Sequence, residues 1–168
     1  MRQLLLLRHA KAVAAADDPD RRLSPAGRLA AFSMRSVMRD LSLVPDLVLV
    51  SPSRRTLETL EALEPWDDTP LIEPIDSLYL ATAPRLLAVL NDVAETVRSV
   101  LLIGHNPGLA ELASALAVGA TADREAARRL AEGFPTAALA EFSVPGPWGL
   151  LAPSAARLVR MIRPRDLA

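Results

Sequence analysis

The chain contains no cysteine, a single lysine and two histidines. Without thiols there is no disulfide framework and no thiolate metal site, a composition that suits a reducing compartment. Aromatic residues make up 4% of the chain, so the core has to be built from aliphatic side chains. An excess of one charge is also missing. The formal net charge is -1, which provides no basic field for nucleic acid and leaves charge recognition to local clusters. No apolar run approaches the roughly 20 residues that span a bilayer, and the opening MRQLLLL is too short for a signal-peptide core. The expectation is a cytoplasmic protein that binds neither nucleic acid nor membrane. The shortage of lysine also devalues arginine as a clue. With Lys11 the one lysine among 19 basic residues, arginine is the default cation and only its position carries information.

What is present is a globular composition, 51% hydrophobic over 168 residues, enough for one domain spanning 1–168. Short apolar runs bounded by turn residues, Leu4–Leu7, Leu47–Val50 and Val100–Ile103, read as strands buried on both faces of a parallel sheet. Leu71-Ile72 reads as a shorter strand, and Ala138–Val144 and Arg157–Ile162 as two more, with the turn-rich PGPWG between them. Several of the 14 prolines mark helix starts. Ser24-Pro25, Ser51-Pro52 and Asn106-Pro107 each place a capping residue before a proline at the first helical position, and Ala83-Pro84 does so with a poorer cap. Leu29, Phe32, Val37 and Leu41 recur at roughly helical spacing, as do Leu86, Leu87, Leu90 and Val93. Alternation of strand and helix predicts an α/β fold, a three-layer sandwich whose mostly parallel central sheet carries helices on both faces.

In such a sheet, ligands bind beyond the carboxyl ends of the strands. Both histidines lie there: the first strand runs into Arg8-His9 and the third into Gly104-His105. The second runs into Ser51 and a helix carrying Arg54 and Arg55. Those two arginines project about 100° apart, so only one faces the site. Strand exits and helix N-termini together describe an anion site, with phosphate the best-fitting anion. Arg21 and Arg22, in DDPDRRLSP, read on their own as a charged surface loop. Glu58 and Thr59 read as packing or hydrogen-bonding groups, and DREAARRLAEG as a charged helix face ending at Gly133. No closely spaced set of metal ligands, P-loop or G-x-S-x-G elbow is present, so neither metal nor nucleotide cofactor is expected.

These motifs resemble the histidine phosphatase superfamily, of phosphoglycerate-mutase-like fold, and within it the short SixA-type phosphohistidine phosphatases. Arg8-His9-Ala10 is similar to the signature Arg-His-Gly, and Ser51-Pro52-Ser53-Arg54-Arg55 to Ser-Pro-x-x-Arg, which selects Arg55 from the pair. Asp20-Arg21-Arg22-Leu23 with Gly27-Arg28 resembles a further family segment and makes Arg21 a phosphate contact. Gly104-His105-Asn106-Pro107 matches the second histidine motif, and Pro135-Thr136 and Pro164-Arg165-Asp166-Leu167 extend the likeness over nearly the whole chain. The resemblance implies a metal-independent phosphatase. His9 attacks phosphorus to give a phosphohistidine intermediate, and Arg8, Arg21, Arg55 and His105 hold the phosphoryl oxygens.

Larger relatives protonate an alkoxide leaving group with a carboxylate from an inserted segment, for which this short chain has no obvious equivalent. Asp76 and Glu73 are the candidates, each also readable as an ordinary loop charge. Because imidazole leaves with less help than an alkoxide, the expected substrate is a phosphoramidate, a phosphohistidine on a phosphotransfer-type protein. The competing readings are a phosphatase for small phosphomonoester metabolites and a phosphate-binding module without catalysis.

Overall fold

The structure, a computed structural model, describes residues 1–119 and 122–167. Strands β1 (Arg2–Arg8), β2 (Leu47–Val50), β3 (Leu71–Pro74), β4 (Ser99–Gly104), β5 (Leu139–Val144) and β6 (Arg157–Ile162) form one sheet in the order β3-β2-β4-β1-β5-β6. From β3 to β1 every pairing is parallel, whereas β5 runs antiparallel to both β1 and β6. The mostly parallel sheet follows from the leucine-rich runs, because strands covered on both faces have no polar alternation to preserve.

Alternate residues of β1 divide the core into two layers. Leu4 and Leu6 pack with α3 (Ala83–Asn91), α4 (Gly108–Ala117) and α5 (Arg124–Ala131). Leu5 and Leu7 pack with α1 (Pro25–Asp40) and α2 (Arg54–Ala62). All four leucines are at most 1% exposed, so a polar residue at any of them would have no solvent to reach. Trp148 closes the first layer, its indole N–H donating to the Val97 carbonyl at 2.8 Å. No helix among the described residues is long and apolar enough to cross a membrane.

The structure corrects several local expectations. On α1 the buried face is Gly27, Ala31, Met34 and Met38, while Leu29 and Phe32 are exposed. Met34 and Met38 pack on the sheet, and Gly27 and Ala31 on the segment after β1 and the end of α2, so the side carrying Leu29 and Phe32 points outward. Ser24 caps α1 as expected, accepting from the Gly27 N–H at 3.0 Å. At α2 the helix begins two residues later than Pro52, with Ser53 at the cap, because the Ser51 side chain is spent on His105. The cap of α3 is Thr82, which accepts from the Arg85 N–H, and Pro84 lies one residue inside. Pro107 is the cap of α4 rather than its first helical residue.

Candidate active site

Because β1, β4 and β2 are parallel neighbours, with Arg8 opposite Gly104 and Val50 opposite Ile103, their chains leave the sheet at one edge. The antiparallel β5 enters at that same edge, and the turn before it supplies Phe134 and Thr136. The result is an open cleft of about 390 Å³ lined by Arg8, His9, Lys11, Asp18, Arg21, Arg55, Leu80, His105, Asn106 and Thr136, among others.

His9 is 7% exposed and its ring is held by its own neighbour. Nδ1 lies 2.7 Å from the Ala10 carbonyl oxygen. A carbonyl can only accept, so Nδ1 carries the proton and Nε2 keeps its lone pair. The backbone beneath it is tied down as well. The His9 N–H donates to the Gly104 carbonyl at 3.1 Å. The Ala10 N–H donates to Thr59 Oγ1 at 2.9 Å, and the Thr59 hydroxyl donates to the Arg55 carbonyl at 2.7 Å. Gly27 is required for this packing, since a Cβ there would lie 2.1 Å from the Lys11 oxygen.

His105 is fixed in the opposite tautomer. Arg55 Nη2 can only donate, so His105 Nδ1, 3.2 Å away, accepts, and Nε2–H donates to Ser51 Oγ at 2.7 Å. Both ring nitrogens are thus taken by protein partners, and a contact with a phosphoryl oxygen requires one of these bonds to exchange. The two imidazoles lie 5.4 Å apart between centroids. Burial, the bond to Ala10 notwithstanding, brings His9 down to about 4, with Arg55, Arg8 and Arg21 adding to the effect. Burial, then Arg55 and His9, brings His105 down to about 3. Both rings are therefore neutral at pH 7.

The guanidinium groups make the cleft cationic. Arg55 is 2% exposed. Its Nη1 donates to the Asp18 carbonyl at 3.0 Å and its Nη2 to Asp18 Oδ2 at 3.1 Å. Arg8 Nη1 donates to the Phe134 carbonyl at 3.1 Å, and burial beside Arg55 pulls the Arg8 guanidinium below its usual value. The Nε–H of Arg8 and that of Arg55 are buried without an acceptor among the described residues. Arg2 Nε and Trp66 Nε1 are buried in the same way outside the cleft, so what marks the cleft is the gathering of Arg8, Lys11, Arg21 and Arg55 around its wall. Arg21 reaches the cleft from the Asp18–Asp20 turn, with Nε on the Val13 carbonyl at 3.0 Å and Nη1 on Asp18 Oδ1 at 3.2 Å. Arg54 points away, its side chain 53% exposed and paired with Glu58.

Arg8, His9, Arg21, Arg55 and His105 are thus brought together, whereas Glu73 and Asp76 are not. Both are exposed, on or just after the edge strand β3, and neither lines the cleft. The carboxylate that does line it is Asp18, which the sequence reading passed over because DDPD resembles an ordinary solvated loop. Tyr79 was missed too, although it is the only tyrosine. Its hydroxyl makes a short hydrogen bond to Asp18 Oδ2, and its ring meets His105 edge-on with centroids 5.5 Å apart. Tyr79, then Arg21 and Arg55, hold the Asp18 carboxyl down at about 2.

No protein-family model matches the chain. It is 32% identical over 161 residues to the uncharacterized protein Rv1276c of Mycobacterium tuberculosis, covering 95% of this chain and 100% of that one. Among solved structures, a protein of Agrobacterium tumefaciens assigned as the phosphohistidine phosphatase SixA is 30% identical, with a TM-score of 0.78 over 96% of this chain and 98% of that one. The protein histidine phosphatase SixA solved with tungstate is 25% identical, with a TM-score of 0.81 and 99% of both chains covered. With the fold shared from end to end and the arginine and histidine motifs converging on one cleft, the chain belongs to the histidine phosphatase superfamily as a SixA-type member, a hydrolase acting on phosphoryl groups.

Proposed function

We propose that this protein removes phosphate from phosphohistidine on a partner protein of the phosphotransfer type, through a covalent intermediate on His9. The observation that carries the reading is an unprotonated His9 Nε2 in a cleft lined by Arg8, Arg21 and Arg55. His9 Nε2 attacks phosphorus in line, while Nδ1–H stays on the Ala10 carbonyl and steadies the charge that develops on the ring. Arg8, Arg55 and Arg21 hold the equatorial oxygens. His105 keeps Arg55 in place through Nδ1. Water then attacks the phosphorylated His9 from the side the leaving group has vacated, releasing phosphate and restoring the imidazole.

Two features favour a phosphoramidate over a phosphomonoester. Asp18 is held ionised well below neutral pH and cannot supply a proton to an alkoxide. The cleft mouth is also open enough for a side chain presented by a protein, with the Asp18 side chain 42% exposed and Lys11 and Leu80 exposed beside it. On this reading the chain acts as one domain in the cytoplasm. The related SixA structure with tungstate, an oxyanion, agrees with phosphoryl binding.

The test is metal-free phosphate release by wild type and His9→Ala from a histidine-phosphorylated protein and from a panel of phosphomonoesters. Release from phosphohistidine that is lost in the variant is the expected result. A clear preference for a small ester would transfer the function to metabolite phosphatase, and an active His9→Ala protein would overturn the nucleophile.

A further inference from the structure

The phosphatase reading uses Asp18 only as a carboxylate that cannot act as an acid, and gives it no contact with substrate. Its carboxylate sits among the cations expected to hold phosphate, accepting from Arg55 Nη2 at 3.1 Å, from Arg21 Nη1 at 3.2 Å and from the Tyr79 hydroxyl. Its backbone is anchored too, by Arg55 Nη1 on its carbonyl oxygen. Depth distinguishes it from its partners: the Arg55 side chain is 3% exposed and that of Asp18 is 42% exposed. Asp18 therefore stands at the outer end of the cleft, with His9 and Arg55 below it. A group transferred to His9 loses its leaving group away from His9, toward the mouth.

We infer that Asp18 is a specificity-determining residue that accepts the N–H of the leaving imidazole, selecting phosphohistidine over phosphate esters. The inference rests on the proposed phosphohistidine reading and deepens it. An imidazole phosphorylated on one nitrogen leaves as a neutral ring only when its other nitrogen is protonated; otherwise it must leave as an anion. A carboxylate facing that second nitrogen favours the protonated form. His9 Nε2 gives its lone pair to phosphorus, the P–N bonding pair returns to the departing nitrogen, and the substrate ring leaves neutral with its distal proton in place. The positive charge passes to the phosphorylated His9, whose Nδ1–H is already on the Ala10 carbonyl. Ala10 and Asp18 thus serve the same purpose at the two ends of a transfer between like rings. An ester oxygen has no second N–H to offer, so Asp18 adds only negative charge near it.

Phosphoryl binding and leaving-group recognition are coupled through Arg55. A phosphoryl oxygen that takes Arg55 Nη2 frees Asp18 Oδ2 from that bond, and the freed lone pair is the one presented to the ring. The charged and titratable groups around Asp18 are Arg21, Arg55 and Tyr79 in direct contact, with Arg8, Lys11, His9 and His105 lining the same cleft. Asp18 remains ionised through the physiological range, so the proton that titrates is the substrate's own.

The experiment compares wild type with Asp18→Asn and Asp18→Ala on phosphoimidazole and on 4-nitrophenyl phosphate, whose leaving group has no N–H and needs no acid. On phosphoimidazole kcat/KM should fall at least about tenfold in both variants, since a charged hydrogen bond is lost. The alkaline limb of the wild-type kcat profile, which reports the proton of the bound substrate, should move to lower pH in the variants. On 4-nitrophenyl phosphate, which reports only the loss of Arg55 and Arg21 positioning, kcat/KM should fall by less, so that the ratio of the two values drops. Equal losses on both substrates, or an unmoved alkaline limb, would overturn the role of Asp18 while leaving the phosphatase reading intact. A wild-type protein inactive on both phosphoimidazole and histidine-phosphorylated protein would overturn both.

Discussion

Two arginine clusters in this molecule use the same side chains for opposite ends. Around α5 and the chain's last turn, Arg128, Arg129, Arg163 and Arg165 meet Glu125, Glu132 and Asp166, and each guanidinium has a carboxylate partner. Arg163 is raised above its usual value by Asp166 and Glu132, and Asp166 is held down at about 2. In the cleft three arginines face one carboxylate, Asp18, and two buried Nε–H groups lack acceptors. The first cluster is complete within the protein and can only stabilise. The second has more arginines than carboxylates, which leaves guanidinium groups for an incoming anion to pair with. Neither richness in arginine nor the number of ion pairs separates the two; the ratio of arginines to carboxylates does.

The largest break in that comparison should come from exchanging the cation type. Arg55→Lys replaces a planar fork that serves Asp18 and His105 together with a point charge. It should lower kcat/KM by about 10²-fold or more, measured by phosphate release, with little change in the thermal unfolding midpoint. Arg163→Lys should do the reverse, lowering the midpoint while leaving kcat/KM within about twofold, because its partners Glu132 and Asp166 lie outside the cleft. If both substitutions cost activity alike, the division between the clusters fails.

Acid should separate the regions next. His9 and His105 are neutral in the fold down to about 4 and about 3 but titrate near 6.5 when unfolded. Their folded values are depressed, so the unfolded chain takes up protons first. Their stabilising contribution is intact above about pH 6.5 and is lost progressively as pH falls toward 4. Asp166 works lower down, its contribution present above its unfolded value and lost as pH falls from about 4 through 2. Unfolding scans should therefore show a first decline between about pH 6.5 and 4 that His105→Gln reduces. A decline confined to pH below 4 would show that the buried rings are not held neutral. Activity should persist to about pH 5, with the His9 limb of kcat/KM near 4.

The smallest effect belongs to Arg54, the neighbour of Arg55. Arg54→Ala removes a surface pair with Glu58, whose Oε1 still accepts from the Leu23 N–H at 2.8 Å. It should change stability by less than about 1 kcal/mol and kcat/KM by less than about twofold, both measured alongside Arg55→Lys. A large kinetic effect would place Arg54 in the cleft.

Much of the site was legible because its residues sit where strands must end. The leucine runs before Arg8-His9 and Gly104-His105 announce parallel strands, and parallel neighbours deliver their exits to one edge. Arg55 needed the family motif to be chosen over Arg54, since helical spacing says only that one of the two faces inward. Asp18 and Tyr79 carried no such signal. They come from loops 61 residues apart that meet only after α1 and β3 have packed, and a carboxylate in DDPD is indistinguishable in sequence from a solvated one. Glu73 and Asp76 failed for the complementary reason, an edge strand that carries them past the cleft into solvent.

The outward face of α1 shows the same limit. Leu29 and Phe32 obey helical spacing, yet Ala31, Met34 and Met38 form the buried stripe. Periodicity specifies that a helix has an apolar side; which of its residues the sheet and the neighbouring segments cover decides which side that is. The sequence by itself determined the strands, their shared exit and the two histidines, because burial on both faces and strand termination are local properties of the chain. Only the tertiary structure decided the tautomers, the surplus of guanidinium donors and the carboxylate standing over them, because hydrogen bonding and depth depend on what distant segments bring to the same few ångströms.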